Sequence, residues 1–193
     1  MKTIYNMISI KKMQGIAVAL VLVLFSLTAQ AANKDVENIR KFYNSTKADM
    51  AKLQKKDNSG PVHCLLMDNN PFEARRTGER FYSEKTYYYY KYDTESDRII
   101  LLMVIEELKS GIHTIYREYL YDLVGNVFAF EKSTYDNNIE KRVYYKDEKM
   151  LLYSENNKEK QYMDGEDSIL RLRRRATEHN DAFNAVIYIG YQD

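Results

Sequence analysis

The sequence predicts an α+β domain in which one helix precedes and another follows a curved meander of antiparallel strands. Three observations indicate this class. From Val62 to about Asn156, strand-like segments are joined by short polar turns, and links this short force antiparallel neighbours. Helical periodicity is confined to the two sides of that region. Tyrosine, which favours strands and tolerates a half-exposed surface, occurs 18 times among the 193 residues.

The first 31 residues have the pattern of a cleavable signal peptide. Three lysines precede an apolar run at Ile16–Leu27, and Ala29–Ala31 forms an A-x-A cleavage site. The apolar run is too short to span a bilayer, although an uncleaved anchor is the alternative. The sequence therefore predicts a protein exported to the periplasm or beyond the cell. After cleavage, residues 32–193 form a single α+β domain without a membrane span.

Amphipathic patterns predict the two helices. The first covers residues 34–56 and ends at the breaker segment Asp57–Pro61. The second runs from about Glu166 to Ala185, although the final Val186–Ile189 could instead form a short strand. The apolar positions recur at spacings of three and four. They are Val36, Ile39, Tyr43, Thr46, Met50 and Leu53 in the first helix, and Ile169, Leu172, Ala176, His179, Phe183 and Val186 in the second.

Six or seven strands are expected between the helices, followed by a polar loop at residues 156–161. The segment Ile99–Ile105 does not alternate between apolar and polar residues, so both of its faces are expected to be buried, including Leu101 to Val104. Such a central strand fits a sheet packed by helices. The expected strands lie near 62–68, 80–92, 98–107, 112–121, 127–135, 139–146 and 149–154.

Composition and motifs exclude several function classes. The mature chain has a net charge of −2 once the three signal lysines are removed, which gives no electrostatic case for a nucleic-acid partner. No phosphate loop, nucleophile elbow or metal-binding spacing occurs, so no cofactor, metal or catalytic residue is predicted. Cys64, the only cysteine, lies in an apolar run and is expected to be a buried, unpaired thiol; an intermolecular disulfide or a nucleophile is the alternative.

Several titratable residues could contribute to a site, depending on where the fold places them. His179 lies on an apolar helical stripe. Glu106-Glu107 could provide one member of a carboxylate pair for glycoside hydrolysis. The arginines at 171 and 173–175 are expected to form a solvated face paired with acids such as Glu178, or else an anion contact. His63 and His113 are far from His179 in sequence.

A cluster of tyrosines is the most unusual feature and the predicted ligand-binding surface. Alternation along a strand places one subset on each face, and one subset is expected to be exposed beside aromatic residues of the 112–121 strand. Such a platform stacks on sugars or buries a partner's side chains. The candidate residues are Tyr87, Tyr88, Tyr89, Tyr90, Tyr92, Tyr119 and Tyr121.

Three segments together carry a resemblance to a known group of proteins. They are the signal, the early helical segment Ile39–Tyr43, and the hairpin segment Arg117–Asn126 with its Gly125-Asn126 turn. In these features the chain resembles small exported proteins of gut Bacteroidales. The resemblance extends over most of the mature chain. It implies export and implies no particular activity.

The sequence leaves three functions open. The first is a non-enzymatic exported module that binds a protein, a peptide or a glycan. The alternative is a periplasmic carrier that holds an apolar ligand between the curved sheet and a helix. A hydrolase of unknown type is third. An exposed tyrosine cluster would favour the binding module, and a lined internal cavity would favour the carrier. A histidine beside Glu106 or Glu107 in one cleft would favour the enzyme.

Overall fold

A computed structural model describes residues 33–53, 61–69, 82–160 and 167–190. The chain divides into two compact units, Met1–Asn38 and Ile39–Asp193. In the first unit the described residues, 33–38, are helical. The predicted signal peptide and most of the predicted breaker at 57–61 lie outside the described residues. Within those residues, no helix is long and apolar enough to cross a membrane.

The architecture is the predicted α+β meander, with helix α1 (residues 33–53), a curved sheet, and helix α2 (Asp167–Gly190) packed on the sheet. Every described strand pairs antiparallel with the next one in sequence, so the spatial order equals the chain order. The strands are β1 (Val62–Asn69), β2 (Tyr82–Asp93), β3 (Arg98–Ser110), β4 (His113–Tyr121), β5 (Asn126–Ser133), β6 (Glu140–Lys146), β7 (Lys149–Glu155) and β8 (Lys158–Glu159).

Two elements near the end of the chain differ from the sequence prediction, and turn geometry explains the first of them. Asn156 and Asn157 both adopt left-handed backbone conformations, with φ of 48° and 65°. Two consecutive left-handed residues form the tight hairpin turn that matches the twist of the flanking strands. The segment predicted as a polar loop therefore contains the short strand β8. Helix α2 continues to Gly190, so the alternative of a last strand at Val186–Ile189 is wrong.

One face of the sheet, here called the α2 face, packs against helix α2. The buried side chains Leu172, Ala176 and Phe183 of α2 join sheet residues in one apolar cluster. Tyr121 donates a hydrogen bond of 2.7 Å from its hydroxyl to the carbonyl oxygen of Ala176. This bond satisfies a buried hydroxyl and ties the helix to the sheet centre. The sheet residues of the cluster include Tyr88, Leu101, Val104, Tyr119, Ala129, Val143, Tyr145 and Tyr153.

Strand β3 is buried on both faces, as the absence of alternation predicts. Leu101, Leu102, Met103 and Val104 are all buried, and Met103 and Val104 have no exposed surface. The pairing with β2 shifts register here: Leu101 faces Tyr90, whereas Met103 faces Tyr89. The irregularity is typical of a β-bulge, which increases local twist and so contributes to the curvature of the sheet.

The prediction that Cys64 is buried is wrong. The residue is exposed, and its neighbours Leu66 and Met67 are 47% and 44% exposed. Strand β1 pairs with β2 along one side and is the edge strand of the described sheet. Apolar neighbours in sequence indicate a strand, but they do not distinguish an edge from the sheet centre. Partial burial raises the pKa of the Cys64 thiol, and a hydrogen bond with Tyr89 partly offsets that rise.

A maleimide should therefore label the native protein at Cys64 to one label per chain, without denaturant. The rate should increase between about pH 7 and about pH 9, because the thiolate is the nucleophile and the thiol pKa is raised. Mass spectrometry of the labelled native and unfolded protein measures this. Labelling that requires denaturant would contradict the exposed position.

Candidate ligand-binding site

A pocket of about 660 Å³ lies on the opposite face of the sheet, between helix α1 and strands β4 to β8. Residues from six elements converge there, and this volume is within the range of small-molecule sites. Of the twelve described residues that line it, nine have charged, amide or hydroxyl side chains. The lining consists of Arg40, Tyr43, Asn44, Glu118, Phe128, Phe130, Arg142, Tyr144, Leu152, Ser154, Asn157 and Glu159.

Residues 39–53 of α1 place one polar stripe against this face. Tyr43 packs edge-on against Phe128, with ring centroids 5.1 Å apart. Arg40 donates a hydrogen bond of 3.3 Å from Nε to the hydroxyl of Tyr144. Arg40, Tyr43 and Asn44 are three and four residues apart, so they project from one side of the helix. The same stripe therefore positions the helix and lines the pocket.

Glu118 is the buried acid of the pocket, with only 4% of its surface exposed. Lys47 Nζ lies 2.8 Å from its Oε1. The hydroxyls of Tyr43 and Tyr116 both donate hydrogen bonds to the carboxylate. Burial raises the pKa of both tyrosines, and the charge of Glu118 raises it further. The carboxylate is therefore neutralised by one lysine and accepts from two neutral phenols.

The arginines of the pocket are stacked on aromatic rings. The guanidinium carbon of Arg40 lies 5.3 Å from the Tyr144 ring centroid, and that of Arg142 lies 5.0 Å from the Phe130 centroid. Stacking of this kind restricts a guanidinium while leaving its in-plane N–H groups available for acceptors. Phe128 contacts the ring of Tyr144 at 5.1 Å, which joins the aromatic groups into a continuous wall.

The predicted tyrosine platform is not one exposed surface. Tyr119 and Tyr121 are buried, with 0% and 2% exposure, and so are Tyr88 and Tyr89. Tyr119 and Tyr121, the neighbours expected from strand 112–121, are therefore core residues and not part of an exposed platform. Two of these hydroxyls have partners within the fold, because Tyr88 contacts His179 and Tyr121 donates to a carbonyl of α2. Tyr87 and Tyr90 are half-buried and Tyr92 is 43% exposed. Ligand contact by those three stays a prediction.

The structure brings His179 and Glu106 together, but in the core. His179 Nε2 lies 3.6 Å from Glu106 Oε1, and its Nδ1 hydrogen-bonds the hydroxyl of Tyr88 at 3.2 Å. Glu106 has no exposed surface, and His179 and Tyr88 are 4% and 3% exposed. None of the three lines the pocket between α1 and strands β4 to β8. The burial of Glu106 and His179 is therefore typical of residues with a structural role.

Glu106 is the centre of an ionic cluster on the α2 face. Arg117 Nη1 lies 2.8 Å from its Oε2, and Arg175 Nη2 lies 2.6 Å from its Oε1. Burial alone would raise the pKa of this carboxyl, but His179, Arg117 and Arg175 outweigh burial and hold the pKa well below its usual range. Arg175 also binds Glu84 at 2.6 Å. One guanidinium of α2 thus joins two strands.

Arg173 and Arg174 of the same arginine run pair at the surface, as expected for a solvated face. Arg173 contacts Glu148 at 3.1 Å, and Arg174 contacts Glu178 at 3.5 Å. His63 lies beside Tyr90, and His113 stacks on Tyr135 with centroids 3.9 Å apart. In the described ranges, no group of three or more His, Cys, Asp or Glu side chains could hold a metal ion.

No family model, curated protein or solved structure matches this chain. The site therefore rests on its own geometry. Sequence reasoning did not find the pocket, although two patterns in the chain indicate it. One is the alternation in β5 that places Phe128 and Phe130 on one face. The other is the set of polar residues on the amphipathic helix α1 at spacings of three and four, namely Arg40, Tyr43, Asn44 and Lys47.

Proposed function

We propose that this protein is a non-enzymatic exported binding module, and that its ligand occupies the pocket between α1 and strands β4 to β8. The observation that supports this proposal is the mixed lining. An aromatic wall lies beside two stacked arginines, two asparagines and a serine. Binding sites combine an apolar surface with a few placed polar groups in this way. A sugar ring or a short peptide offers both kinds of surface.

The position of the pocket also bears on the alternative, a carrier of an apolar ligand held between sheet and helix. The location agrees with that alternative, whereas the lining favours a ligand with polar groups. Transfer of an apolar chain into a pocket containing Arg40, Arg142 and Asn157 would remove water from groups that the ligand could not hydrogen-bond. A ligand with its own acceptors avoids that cost.

The choice of binding over hydrolysis is supported by the state of the carboxylates. Glu118 accepts from Tyr43 and Tyr116 and is paired with Lys47, so its oxygens are engaged. Glu106 and His179 are in the core. A general acid or base has to reach the reacting group in a plausible substrate pose. Glu118 does not meet that requirement in this arrangement, and neither does the buried pair of Glu106 and His179.

Native mass spectrometry of protein purified from its own envelope tests the proposal. The wild-type protein should carry a small ligand that Asn44→Trp loses, because Asn44 is an exposed helix residue that lines the pocket. Ser45→Trp is the matched control, since Ser45 is equally exposed on α1 and is outside the lining. Retention of the ligand by Asn44→Trp would contradict the pocket. A co-purifying lipid would favour the carrier.

A further inference from the structure

Arg142, one of the two arginines of the pocket, has a hydrogen-bond donor that is not used. Arg142 donates from Nη2 to Glu140 Oε2 at 2.7 Å. Its Nη1 is buried and has no hydrogen-bond partner among the described residues. A buried donor without an acceptor is costly, and few exist in native proteins. An acceptor placed beside Arg142 would remove that cost.

The charges around the pocket nearly cancel. Arg40, Arg142 and Lys47 carry three positive charges. Glu118, Glu159 and Glu140 carry three negative charges, and Glu140 Oε2 lies 2.7 Å from Arg142 Nη2. A near-neutral lining suits a single carboxylate better than a phosphate, which carries about −1.5 to −2 at neutral pH. The stacked guanidinium groups have the planar geometry that binds carboxylates.

The walls beside the arginines indicate what the carboxylate is attached to. Phe130 and Leu152 offer an apolar surface, and Asn44 and Asn157 offer amide donors and acceptors. A ring with one apolar face can pack against Phe130 and Leu152. Polar substituents on that ring can form hydrogen bonds with Asn44 and Asn157.

We infer that the ligand is a monocarboxylate on a ring body, with the carboxylate between Arg40 and Arg142 and the ring against Phe130 and Leu152. This inference rests on the proposed function, because it specifies the ligand of the same pocket. The chemistry has two sources, a uronic-acid saccharide and an aromatic carboxylic acid. They share the charged group and differ in the hydroxyls that Asn44 and Asn157 would contact.

Calorimetric titration of the full mature chain with three probes tests the inference. Methyl glucuronide should bind at least tenfold more tightly than methyl glucoside, in which a neutral hydroxymethyl group replaces the carboxylate. If 3-phenylpropionate binds more tightly than methyl glucuronide, the ligand is an aromatic acid. If methyl glucuronide binds more tightly, the ligand is a uronic-acid saccharide. Equal affinity for glucuronide and glucoside, without tighter binding of 3-phenylpropionate, would overturn the inference while leaving the pocket proposal intact. If none of the three probes binds, both carboxylate sources are excluded and the inference fails.

Charge variants locate the carboxylate. Arg40→Gln should weaken binding of the preferred acid by tenfold or more, whereas Glu159→Gln, which removes an exposed acid from the rim, should strengthen it severalfold. Arg174→Gln removes the same charge from the exposed side of α2 and should leave the affinity unchanged. Equal effects of Arg40→Gln and Arg174→Gln would show a general charge effect and overturn the assignment. A thermal melt of each variant verifies that it is folded.

Discussion

Replacing Glu106 with glutamine should lower the free energy of unfolding by about 3–5 kcal/mol at neutral pH. The variant keeps the shape of the side chain and removes the charge, which leaves Arg117 and Arg175 without their shared counter-ion. Glu106 has no exposed surface, so water cannot solvate the buried side of the cluster, while Arg117 keeps its ion pair with Glu131 and Arg175 keeps its ion pair with Glu84. The loss should be evident in urea unfolding, because a change in midpoint at constant slope reports stability.

The pH dependence of stability tests the same cluster independently. Because the folded-state pKa of Glu106 is well below its usual value, the unfolded chain binds this proton more readily. The stability that Glu106 contributes is therefore complete above the ordinary glutamate pKa of about 4.3 and is lost as the pH falls below it. The difference between wild type and Glu106→Gln should shrink over that acidic range.

Glu107→Gln is the matched control for this cluster. Glu107 is the next residue of β3, is only half-buried, and takes the opposite side of the strand. Its substitution should change the unfolding free energy by less than about 1 kcal/mol. Similar losses for the two variants, or a loss below about 1 kcal/mol for Glu106→Gln, would show that the buried ion pairs do not stabilise the fold.

The local features of the fold were predictable because they depend on near neighbours. The apolar run Ile99–Ile105 indicates two-sided burial whatever packs on it, and α2 buries Leu172, Ala176 and Phe183 at their predicted helical spacing. The short turns fix antiparallel pairing. The pairing order then follows from the chain order.

The pocket was not predictable because it depends on register over long separations. Arg40 and Tyr144 are 104 residues apart, yet they share a hydrogen bond. The side chains that face α1 also depend on register shifts in the sheet, such as those between Leu120 and Tyr121 and between Tyr144 and Tyr145. A one-residue slip moves side chains to the other face. The buried tyrosines escaped prediction for a related reason, since the acceptor for Tyr121 is a carbonyl of α2.

Two-sided packing of the central strand leads to the second large effect: Met103→Ala and Leu101→Ala should each lower the free energy of unfolding by about 2–5 kcal/mol. Leu101 belongs to the cluster that α2 covers, whereas Met103 faces Tyr89 and Leu120 across the ladder. Both residues are buried, so truncation leaves a cavity on either face.

Ile112→Ala is the control for these core truncations, because Ile112 is 90% exposed at the β3–β4 turn and should change stability by less than about 0.5 kcal/mol. Urea unfolding of the three variants measures the effects. If Leu101→Ala is costly and Met103→Ala is not, the face that contains Met103 is loosely packed. Losses of similar size for both would establish that the sheet is stabilised from each side.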